Sequence, residues 1–148
     1  MDRYKVLVAH QDKDVCRNIK GLLEHFNLDF VLVHNGLDAL AAAKYETPAL
    51  IIANVNMDVL NSIEMAAMLK QDSNTADIPC IFLHDKLDYE IITRANQLGA
   101  KGFLMVPYLD NTLIYSVQRA LPLVKSENMD DKFIKLYSIT DRIPHTAS

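Results

Sequence analysis

Short apolar runs alternate along the chain with longer stretches in which apolar residues recur every three or four positions. Val6-Leu7-Val8-Ala9, entered through Lys5, is a continuous apolar run, which suits a strand covered on both faces in a parallel sheet. After Asp12-Lys13-Asp14, the residues Val15, Ile19, Leu22, Leu23 and Phe26 fall at helical spacing behind an acidic start, which predicts a first helix. Residues 30–33 form a second apolar run closed by Asn35-Gly36, and an alanine-rich helix is expected over about 37–45, stopped by Thr47-Pro48. The alternation then repeats: strand Leu50–Asn54, helix Ser62–Lys70, strand Cys80–His84, helix 87–98, strand Gly102–Met105 and helix 110–121.

Five strand-then-helix units of this length imply right-handed crossovers. The predicted class is α/β, a doubly wound, five-stranded parallel sheet of flavodoxin-like type with helices on both faces. Such sheets work from the crevice outside the carboxyl ends of their strands. His10 and Gln11 follow the first strand, Asn54 ends the third, His84 ends the fourth and Val106 follows the fifth. Topology alone therefore gathers these five at one mouth.

Composition narrows the picture. With 148 residues, 50% of them hydrophobic, there is room for one domain with its own core and none for a second. A net charge of −4, without a run of Lys or Arg, offers no footprint for nucleic acid or an anionic membrane. The apolar runs are strand-sized and the start lacks a signal-peptide stretch, so a cytoplasmic location is expected. Two cysteines, Cys16 and Cys80, lack CxxC or zinc spacing and read as buried thiols. Four glycines form neither GxGxxG nor a Walker A loop, which disfavours nucleotide binding. Ser62 and Ser116 carry no nucleophile signature, and no cofactor is implied.

From about Tyr4 to Leu123 the chain resembles the response-regulator receiver domain of two-component signalling. The carrying segments are Lys5-Val-Leu-Val-Ala-His-Gln-Asp-Lys-Asp-Val, Asn35-Gly-Leu-Asp-Ala-Leu and Pro48-Ala-Leu-Ile-Ile-Ala-Asn-Val-Asn-Met. Ile78-Pro-Cys-Ile-Phe-Leu and Leu98-Gly-Ala-Lys-Gly-Phe-Leu-Met-Val-Pro-Tyr follow in the same order. The resemblance implies an acidic pair after the first strand and a phospho-accepting Asp at the end of the third, which together hold magnesium while the Asp takes phosphoryl from a phosphohistidine. Here the pair aligns with His10 and Gln11, and the acceptor with Asn54. The family's Thr or Ser aligns with His84 and its Lys with Val106, although Pro107 is kept. Magnesium favours carboxylate oxygen, and an amide is no nucleophile for an acyl phosphate. Asp12, by a one-residue shift, and the loop residues Asp58 and Asp85 supply carboxylates nearby but no acceptor at the strand end.

The joint loss is coherent. Carboxylates crowded in one cleft repel by about 4 kcal/mol per close pair at an effective dielectric of 20 and need a metal and a Lys as counter-charges. Without them, a half-buried ammonium is a desolvation cost that Val106 avoids. The expectation is a degenerate, non-enzymatic pseudo-receiver acting as a phosphorylation-independent interaction module for signalling proteins, such as a histidine kinase or an output protein, or as a homodimer. The rival is a ligand-, metal- or pH-sensing domain using the His10/His84 cleft, with no metal assigned and hydrogen-bonded filler as the plain reading of both histidines.

Surfaces carry the remaining expectations. In helix 87–98 the stripe Leu87, Ile91, Ala95, Leu98 is expected to face the sheet, leaving Tyr89 and Ile92 partly outside as a contact surface. Phe103 aligns with the family's switch aromatic, or is simply packing. Met65 and Met68 share a helix face as core filler or as a second patch. Past the receiver-like domain (1–124), the extension 125–148 places Met129, Phe133, Leu136, Tyr137 and Thr140 at helical intervals, which predicts a short amphipathic helix. Phe133 and Tyr137 would need a covering surface on this domain or a second copy. The extension is too short for a winged-helix or helix-turn-helix output domain. In an excised fragment it would instead open a linker.

Overall fold

A computed structural model of the chain describes residues 2–125. The elements run β1 (Tyr4–Ala9), α1 (Lys13–Leu23), β2 (Leu28–Val33), α2 (Gly36–Glu46), β3 (Leu50–Asn54), α3 (Ser62–Lys70), β4 (Cys80–His84), α4 (Tyr89–Gln97), β5 (Gly102–Met105) and α5 (Asp110–Ala120). All strands are parallel, in the order β2-β1-β3-β4-β5. The chain thus steps outward from β1 in one direction, then reverses between β1 and β3, and that reversal opens the crevice.

Strand alternation divides the core into two layers. Leu7, Ala9, Ile51, Ala53 and Phe82 point to the face covered by α2, α3 and α4. Val6, Val8, Leu50, Ile52, Ile81 and Leu83 point to the face covered by α1 and α5. The three central strands are buried on both sides, which is why they read as unbroken apolar runs. Helix starts follow side-chain caps: Asp12, Asn35, Asn61 and Asp88 each accept a backbone N–H of the first turn.

Two expectations are corrected. Leu87 is not on the sheet-facing stripe of α4. The Asp88 carboxylate accepts the Ile91 N–H and starts the helix at Tyr89, so Leu87 stays in the preceding loop, 62% exposed. Phe26 does reach the core, but from beyond α1, which stops at Leu23. Met65 and Met68 also part company, Met65 fully buried and Met68 exposed. The expected helix within 125–148, with Phe133 and Tyr137, lies outside the described residues. No helix among the described residues is long and apolar enough to cross a membrane.

Candidate functional site

The crevice is floored by the carboxyl ends of β1, β3 and β4. Asn54 closes β3, and its amide Nδ2 donates to Gln11 Oε1 at 3.0 Å and to the Asn56 carbonyl at 2.8 Å. Both amide hydrogens are thereby used, and the single oxygen of Gln11 nearest the cleft is engaged. The Asn54 carbonyl accepts from the Ser62 hydroxyl, and Ser62 N–H donates to the Val55 carbonyl at 3.0 Å, so the head of α3 is latched to the end of β3. Sequence reasoning gave Ser62 no role; the signal lay in its place directly after the cap Asn61.

His10 continues the line of β1, its N–H donating to the Val33 carbonyl. Its Nδ1 accepts the Asp12 N–H at 3.0 Å, which requires a neutral ring nitrogen there. Burial holds the imidazole below its ordinary value, with the nearby Asp12 carboxylate opposing. Beneath it, the His10 carbonyl lies 3.1 Å from His34 Nδ1 and accepts weakly from the buried Cys16 thiol. Burial raises that thiol's pKa, so Cys16 is a packing group and not a nucleophile.

His84 is not at the mouth in the way the sequence suggested. Its side chain is on the α4 side of the sheet, only 3% exposed, and its ring meets Phe103 edge-to-face at 6.1 Å between centroids. Neither ring nitrogen has a hydrogen-bond partner. Asp85 Oδ1 stands 3.7 Å from Nδ1, beyond hydrogen-bond reach. Val106 follows β5, its N–H donating to the His84 carbonyl, its side chain partly exposed.

Magnesium does not fit these residues. Asp12, the one acidic side chain beside His10 and Gln11, spends Oδ1 capping α1 through the Asp14 N–H at 2.9 Å. Gln11 and Asn54 bond to each other, and no group of three or more His, Cys, Asp or Glu suited to a metal occurs among the described residues. What the arrangement offers is a neutral, amide-closed crevice. A cluster of exposed apolar side chains lies on elements beside it: Leu87 and Tyr89 ahead of and on α4, Met105 at the end of β5, and Leu109 and Tyr115 at and on α5. Ile92 is half-buried beside them.

Comparison with known proteins places this geometry. A family model described as response regulator receiver domain matches residues 6–118. Among curated proteins, the probable transcriptional regulator ycf29 of Pyropia yezoensis is 29% identical over 75% of this chain and 50% of its own length. Protein PilG of Pseudomonas aeruginosa is 25% identical over 82% of this chain and 90% of its own. Among solved structures, the chemotaxis response regulator CheY4 of Vibrio cholerae superposes with a TM-score of 0.74 at 25% identity, covering 81% of this chain and all of that one. The chain spans about half the length of the first curated relatives it matches, 50% and 58%.

Proposed function

The chain belongs to the response-regulator receiver domain family of two-component signalling, and from that premise we propose that it is a pseudo-receiver. Its role is to bind signalling proteins, a histidine kinase or an output protein among them, without being switched by phosphoryl transfer. The observation that carries this reading is the Asn54–Gln11 amide bond. It occupies the place where a receiver needs a nucleophilic carboxylate and a metal, with a group that is neither charged nor reactive. The other three substitutions agree with it: His10 is tied to a backbone N–H, His84 is withdrawn under α4, and Val106 brings no cation.

The contact role draws its support from the exposed apolar residues Leu87, Tyr89, Met105, Leu109 and Tyr115. A cluster of large apolar side chains held in water is the usual mark of a docking surface. A homodimer through the same residues belongs to this proposal. The metal- or ligand-sensing alternative gains no such support, because the His84 ring faces Phe103 and not His10. Incubation of the full chain with magnesium and acetyl phosphate, followed by intact mass spectrometry, tests the reading. The unmodified mass is expected; a hydroxylamine-labile phosphoryl adduct would refute it.

A further inference from the structure

A groove of about 210 Å³ opens on the α1 side of the molecule, away from the exposed residues of α4. Its walls are Val15 and Leu22 of α1 and the Val106-Pro107-Tyr108 turn after β5, and Leu83 forms its floor. It is smaller than the roughly 300–1,000 Å³ clefts that hold small-molecule ligands, and its scale suits one or two inserted side chains. Val106 is central to it. At the position where the family carries a Lys, this chain has an apolar group that closes the wall, so the substitution that disarms the crevice also makes the groove apolar. Burial in the opposite wall pushes the Tyr108 phenol up, with Asp110 adding to the effect.

The chain's path leads to this groove. After α5, Leu121 is buried against the same core layer as Leu23 and Phe26. Val124 N–H donates to Asn27 Oδ1 at 2.6 Å, Asn27 N–H returns a bond to the Val124 carbonyl at 2.9 Å, and Lys125 forms an antiparallel bridge with Phe26. Residues 126 onward therefore start at the foot of α1, a few residues past Leu22. From there the groove extends about 10 Å along α1, from Leu22 to Val15, at 1.5 Å per residue. The sequence 129–140 would cover about 17 Å at helical rise, and residues 126–128 add up to about 10 Å of reach. Its apolar positions Met129, Phe133, Leu136 and Tyr137 recur at the helical interval needed to present one face.

We propose that this chain's own segment 129–140 docks against α1 and seats Phe133 and Tyr137 in the groove between α1 and the Val106-Pro107-Tyr108 turn. The groove is then an intramolecular docking site, and any protein that binds the α1 side of this domain must compete with the segment for it. This holds whether or not the crevice accepts phosphoryl, so the two proposals stand or fall separately.

Methyl-labelled full chain examined by nuclear Overhauser spectroscopy tests it. Cross-peaks are expected from the Phe133 and Tyr137 rings to the methyl groups of Val15, Leu22 or Val106. The double variant Phe133→Glu/Tyr137→Glu, altered only outside the described domain, should abolish them and shift those methyl resonances. Methyl resonances that ignore the double variant would overturn the proposal. So would cross-peaks that appear only between labelled and unlabelled chains in a mixed sample, which would give the groove to a second copy.

Discussion

His10 links the crevice to pH. Its Nδ1 must be unprotonated to accept the Asp12 N–H, and burial lowers its pKa from the ordinary 6.5. Between the lowered folded value and 6.5 the unfolded chain binds more protons than the folded one, so stability falls as the solution is acidified through that window and is level above it. In the variant His10→Asn this part of the slope should flatten when unfolding is followed from about pH 7 to about pH 5. His84 makes a different prediction. A buried imidazole without partners costs about 1–3 kcal/mol of unrecovered desolvation. His84→Leu is accordingly expected to keep or raise the stability, by up to about 2 kcal/mol in urea titration. The identity of these residues was legible in the sequence; the direction of the His84 ring was not. Strand alternation sends residue 84 to the same face as Phe82, but whether a terminal side chain follows the sheet or leans into the crevice depends on Phe103, a neighbour from another strand.

At the scale of elements, the loop between β3 and α3 holds the most constrained backbone. Gly36 N–H donates to the Asp58 carbonyl at 3.2 Å, and a Cβ at Gly36 would stand 1.6 Å from the Leu60 carbonyl oxygen. Gly36→Ala must push this loop off the head of α2 and is expected to cost about 1–3 kcal/mol, read from the denaturation midpoint. Val59, in the same loop, has φ 73° while 80% exposed. A β-branched residue is poorly suited to the left-handed region, where Asn is at ease, so Val59→Asn should raise stability by about 1 kcal/mol. The sequence located β3, α3, β4 and β5 at the bounds they occupy, because buried strands and capped helices leave strong local signals. It misjudged Leu87 because the apolar period ran on through a residue that the Asp88 cap leaves outside the helix. The close approach of Gly36 to Leu60 joins two elements distant in sequence, and nothing local announces it.

Over the whole molecule, the doubly wound receiver fold is intact while its reactive crevice is neutral. Apolar packing on both faces of β1, β3 and β4 depends on none of the five altered positions except His84, which explains how the architecture survives their substitution. Both thiols belong to that packing. Burial pushes Cys80 up to about 11, and Cys16 is fully buried, so iodoacetamide at neutral pH should leave the native chain unlabelled and modify both cysteines once it is unfolded. The fold and the five positions were legible because strand order and strand ends follow from the apolar pattern. The amide bond between Asn54 and Gln11 was not, since it joins side chains 43 positions apart. The central claim is that this rim no longer gathers a divalent cation and a phosphoryl group. Amide spectra of the full chain titrated with magnesium and beryllofluoride test it most directly. Unmoved resonances at Gln11, Asn54, His84 and Phe103 are predicted, whereas saturable shifts at those residues would contradict it.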